Sequence, residues 1–153
     1  MSYQNCEKLI FRAILFLQEL SKNLESVMEI REWAWHAYED QDTKEQYGDL
    51  YVHCRIPGRR RSNLFVSFST MLAGAPMDLP LWLTVENDEA LWEALRSSCK
   101  VLDGAKTVEE WWAVGLPWPF GPEADLEEVR QAAKRVADVV IKAFEMRQAG
   151  SSR

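Results

Sequence analysis

Apolar residues recur along this chain with two different periods, and the switches between them mark out its elements. From Asn5 to Tyr38 the intervals are helical: Ile10, Ile14, Leu17, Leu24, Met28 and Trp35 fall on one stripe. Ser21-Lys22-Asn23 can divide this stretch, and Ser26 and Glu29 have capping-box spacing, so one long helix and a helical pair both fit. Asp40 to Gly48 is polar and reads as a loop. Leu50, Val52, Cys54 and Ile56 then alternate with Tyr51, His53 and Arg55, which predicts a strand with one buried face. Pro57-Gly58 opens a turn, and Leu64, Val66 and Phe68 continue as the second arm of an antiparallel hairpin. Met71 to Pro80 reads as a loop. Leu81, Leu83 and Val85 give a third strand, with Trp82 and Thr84 on its other face.

Helical spacing then returns. Asn87 or Asp88 can cap a helix that turns Leu91, Leu95 and Leu102 inward. Thr107 and Glu110 have capping-box spacing while Trp112, Val114 and Leu116 alternate, so a short helical turn leading into a fourth strand is expected. Pro117-Trp118-Pro119-Phe120-Gly121-Pro122 fixes an extended connection, because its prolines cannot join a regular ladder. Asp125 and Glu128 then pair as cap and return partner for a last helix lined by Leu126, Val129, Ala133, Val136, Val140 and Phe144, ending before Gly150. The expectation is an α+β protein. A mostly antiparallel sheet of three to four strands packs with an N-terminal helical segment, a middle helix and a long C-terminal helix. Residues 1–150 form one globular domain and 151–153 a tail.

Composition narrows the function classes. The chain has 153 residues, of which 47% are hydrophobic and 27% charged, and so it can bury a core without a disulfide or metal staple. A net charge of −6 repels a phosphate backbone, which disfavours nucleic acid except at the Arg59-Arg60-Arg61 turn. The three cysteines are widely spaced and odd in number, which suits a reducing, cytoplasmic setting. Leu9 to Leu17 is too short to span a bilayer and lacks a cleavage pattern, so no membrane association is expected.

Candidate chemistry changes little. The element order helix, three strands, helix, strand matches that of PD-(D/E)XK nucleases. However, the second strand, Leu64 to Ser69, has no carboxylate and the third, Leu81 to Glu86, has no Lys, so only a nuclease-like fold lacking its metal site would remain. His53 and Cys54 point to opposite faces of a strand and cannot share an ion. Glu25, Glu29, Glu32 and His36 would form one strip of a helix, yet the Glu-to-His spacing is one residue too long for a bundle metal site and is not repeated. There is no nucleophile elbow and no phosphate-binding glycine loop, so no cofactor, metal or catalytic residue is assigned.

Two surfaces remain. Seven tryptophans exceed what a core of this size needs, and Trp33, Trp82 and Trp118, with Arg59, Arg60 and Arg61, are the candidate partner contacts. Phe11, Leu15, Ile30, Trp33 and Ala37 make the N-terminal segment apolar on two sides, which points to a protein partner or a homo-oligomer. The alternative is a small enzyme or ligand-binding domain using the polar sheet face of Tyr51, His53, Arg55, Ser67 and Thr84. The favoured expectation is a small acidic protein-binding protein of the inhibitor, immunity or accessory type.

Overall fold

The structure, a computed structural model, describes residues 3–44, 46–59, 61–69 and 79–151, with the backbone alone at 3, 6, 38, 47 and 151. Its order is α1 (Tyr3–Leu24), β1 (Glu29–Glu39), β2 (Gln46–Arg55), β3 (Asn63–Ser69), β4 (Leu81–Glu86), α2 (Glu89–Ser98), β5 (Lys106–Val108), β6 (Ala113–Leu116) and α3 (Leu126–Ser151). The described strands form one antiparallel six-stranded sheet in the order β1-β2-β3-β4-β6-β5.

The α+β class holds, and the sheet is larger than expected. The two extra strands lie at its edges. Glu29 to Glu39 is β1 rather than the continuation of a helix: Leu24 closes α1, with the Val27 and Met28 amides bonded back to its carbonyl, and the chain then turns into the sheet. The acidic helical strip therefore does not exist, since Glu29, Glu32 and His36 are strand residues and Glu25 precedes them. Ser26 caps nothing; its hydroxyl donates to the Asn23 carbonyl. The polar loop after β1 is shorter than expected, because Gln46 to Gly48 already belong to β2. Asp40 folds this turn by accepting the Asp42 and Thr43 amides, each at 2.9 Å. Thr107 is in β5, so its pairing with Glu110 as a helix cap is also overturned. With four strands ahead of α2, the element order that invited the nuclease comparison does not hold.

Why the central strands form is plain from their burial. Val52, Cys54, Leu64, Val66, Leu81 and Leu83 are fully buried on one face, and α1, α2 and α3 supply the rest of the same cluster through residues such as Phe16, Leu17, Leu20, Leu95, Val129 and Val140. All three helices thus cover the face that carries the aliphatic residues of the period-two pattern. Asp88 is the cap of α2, accepting the Leu91 amide at 2.9 Å, and Asp125 accepts the Glu127 amide at 2.8 Å at the start of α3. The last helix runs through Ser151, past the Gly150 boundary expected for it.

A charged pair is buried within this helical layer. Asp88 and Arg147 are 2% and 3% exposed at their side chains, and Arg147 Nε lies 2.9 Å from one carboxylate oxygen and 3.1 Å from the other. The pair ties the start of α2 to the end of α3. Burial pushes the Asp88 carboxyl upward, but bonds from Arg147, the Leu91 amide and Ser62 outweigh it and hold the group below the ordinary aspartate range.

Candidate functional site: the helix-free face of the sheet

The other face of the sheet, which no helix among the described residues covers, is built from the alternate residues of the same strands. Strand register lines them up: Ala34 faces Tyr51, Tyr51 faces Ser67, Ser67 faces Trp82, and Trp82 faces Gly115. A second row runs from Glu32 through His53, Phe65 and Thr84 to Ala113. Tyr51, His53, Phe65, Ser67, Trp82 and Thr84 are all half-buried, and none belongs to the helix-covered core cluster.

Aromatic rings dominate this surface. His53 stacks on Phe65 with ring centres 4.7 Å apart and planes 14° apart, Tyr51 meets Phe65 edge-on at 6.0 Å, and His36 meets Tyr51 at 5.2 Å. Asn63 fixes the His53 ring with Oδ1 2.7 Å from Nε2, and its amide in turn reaches Glu86 at 3.1 Å. The Tyr51 hydroxyl donates to Glu32 at 3.2 Å. Burial, and then that carboxylate, raises the Tyr51 phenol above its ordinary value, so the hydroxyl stays protonated and acts as a donor.

Trp82 is positioned by two local features. Gly115 lies opposite it, and a Cβ there would come within 2.9 Å of the indole ring, so only glycine lets the ring lie across β6. Trp112 has φ 49° and ψ 48°, a left-handed conformation rare for a bulky residue. That turn sends Trp112 against the core while leaving its neighbour Trp111 64% exposed and edge-on to Trp82 at 6.3 Å. Such a backbone costs about 1–3 kcal/mol, which the packing of Trp112 and its carbonyl bond from the Val85 amide offset.

The residues singled out from sequence therefore separate. Tyr51, His53, Arg55, Ser67 and Thr84 do share one face with Trp82, and Phe65 and Trp111 join them. Arg55 is half-buried, and its Nε has no hydrogen-bond acceptor among the described residues. Trp33 does not join this group: it sits in β1 opposite Val52, on the helix side, and is 40% exposed. Trp118 is also elsewhere, stacked on Phe68 at 5.4 Å, where with Leu81, Leu116 and Val136 it walls a cavity of about 430 Å³. Arg59 and Arg61 are exposed in the β2–β3 turn, and Arg60 lies outside the described residues.

Among the described residues no three His, Cys, Asp or Glu side chains converge as a metal site would require, and no helix is long and apolar enough to cross a membrane. Burial pushes the Cys54 and Cys99 thiols up to about 12, so both remain protonated and unreactive at neutral pH. Compared with known protein families, curated proteins and solved structures, the chain matches none.

Proposed function

We propose that this is a protein-binding domain, of the inhibitor, immunity or accessory type, that receives its partner on the helix-free face of the sheet. The observation that carries this reading is the half-exposed aromatic surface formed by Tyr51, His53, Phe65, Trp82 and Trp111. Aromatic side chains on a rigid sheet lose little conformational entropy on binding and bury large areas, which is why they dominate interface hot spots. The inward half of the same strands packs against the helices, which makes the sheet a rigid platform. Acidic groups at its margin, Glu32 and Glu86, favour a partner with basic groups around an apolar centre.

The test is paired affinity capture from the native cell, with wild-type protein and with Tyr51→Ala/Trp82→Ala as baits. The reading expects one or more proteins retained by the wild type and lost from the variant, with circular dichroism unchanged. Identical retention by both would contradict it.

A second reading rests on Arg55. A guanidinium N–H without an acceptor, beside a histidine held by Asn63, is suited to a small carboxylate or phosphate. Thermal stabilisation by such anions that disappears in Arg55→Met would favour this ligand-binding role over a protein partner.

A further inference from the structure

Edge strands expose a row of unpaired backbone groups, and proteins usually protect them with short length, proline or inward-facing charge. The two edges of this sheet differ sharply in that respect. β5 has three residues, whereas β1 has 11, contains no proline, and has no strand among the described residues along its outer side. Its one irregularity, a register shift between Ile30 and Glu32, lies near its start and leaves Glu32 to Glu39 regular. On its helix side Trp33 and Trp35 are 40% and 45% exposed, although they lie opposite the buried Val52 and Leu50. Two large indoles on a long edge with no described neighbour on its outer side leave room for a partner.

The order of residues in β1 bears on what that partner is. The run Trp33-Ala34-Trp35 is symmetric about Ala34, and Glu32 and His36 flank it as a complementary pair. If two copies of β1 pair antiparallel about a two-fold axis through Ala34, Trp33 of each faces Trp35 of the other on the helix side. Glu32 of each then faces His36 of the other on the open side, a carboxylate opposite an imidazole donor. The two Ala34 residues meet on the axis, where a larger side chain would face its own copy. Ala34 is also the midpoint of the strand Glu29–Glu39, so the two copies overlap along their length, with the regular pairing of Glu32 to His36 at the centre and the shift between Ile30 and Glu32 left to the ends.

We infer that two copies of this chain dimerise through β1, centred on Ala34, to form one continuous 12-stranded sheet. The two helix-free faces then lie side by side, since a two-fold axis normal to the sheet keeps like faces together. Ala34 and Glu32 belong to the edge, and the inference stands whether or not the open face binds a partner.

Sedimentation equilibrium of the full chain is the first readout, with twice the 17.7 kDa chain mass expected. Ala34→Lys sets two ammonium groups on the axis and is expected to give a monomer. Ala34→Cys provides a second readout that needs no disruption. Residues directly opposite in an antiparallel pair have Cα atoms about 4.5–5.5 Å apart, within disulfide reach. Mild oxidation should link it, while Glu32→Cys, which faces position 36, and the wild type should stay uncrosslinked. A monomeric wild type, or a dimer that survives Ala34→Lys and links through Glu32→Cys instead, would overturn the inference. Trp82→Ala should leave the dimer intact, which separates this result from the test of the open face.

Discussion

The two faces of the sheet are made from alternate residues of the same strands, yet they have opposite chemistry. On the helix side, Val52, Leu64, Val66 and Leu83 are aliphatic and fully buried. On the other, Tyr51, Phe65, Trp82 and Thr84 are aromatic or polar and half-buried. A strand interior to a two-layer protein must fill its covered face with branched aliphatic residues, because they pack densely and carry no unsatisfied polar atom. No such demand acts on the uncovered face, where a surface meant only for water would carry charges. The aromatic content of that face is therefore what packing alone leaves unexplained and what the proposed binding role would account for.

If the faces divide stability from recognition, substitutions on them should separate the two properties. The largest effect belongs to the helix layer. Arg147→Ala strands the Asp88 carboxylate in the interior, which costs about 3–5 kcal/mol, measured as a lower urea midpoint. The neighbouring residues Leu83 and Thr84 give the sharpest contrast. Leu83→Ala should cost about 2–5 kcal/mol, while Thr84→Ala should stay within about 1 kcal/mol and change only binding.

Acid sensitivity follows from the same buried pair. The folded-state pKa of Asp88 lies below its unfolded value, so its contribution is complete above the unfolded pKa and is lost as pH falls through the folded one. Unfolding measured between pH 7 and pH 2 should show that loss, and Asp88→Asn should flatten it while lowering stability at neutral pH. A modest effect on the fold is expected from Gly115→Ala. Its methyl would displace the Trp82 ring, costing about 1 kcal/mol, yet partner capture should fall as it does for Trp82→Ala.

This contrast also governs what could be read from sequence. β2, β3 and β4 are legible because burial of one face writes period two into them, and parity alone groups Tyr51, His53, Arg55, Ser67 and Thr84. Phe65 carried the same signal, lying between Leu64 and Val66. β1 was misread as helix because it is an edge strand: both its faces stay partly exposed, so alternation fades, and Ile30, Trp33 and Ala37 happen to fall at helical intervals. The aromatic run Trp33-Ala34-Trp35 was the available strand cue. β5 is too short and exposed to leave any pattern. Trp111 could not be placed, since its position depends on the left-handed turn at Trp112. The cap at Asp88 was visible, but its partner Arg147 lies 59 residues away and no local rule connects them.

The seven tryptophans offer the most direct test, because each indole N–H gives its own signal in a proton–nitrogen NMR spectrum. Trp82 and Trp111 report the open face and Trp33 and Trp35 the β1 edge. Trp92, whose indole donates to Glu109, and Trp118, stacked on Phe68, report the helix side. Titration with the captured partner should shift Trp82 and Trp111 while Trp92 and Trp118 stay in place. Shifts confined to Trp118 and Trp92, with Trp82 and Trp111 unmoved, would contradict the assignment of the helix-free face as the binding surface.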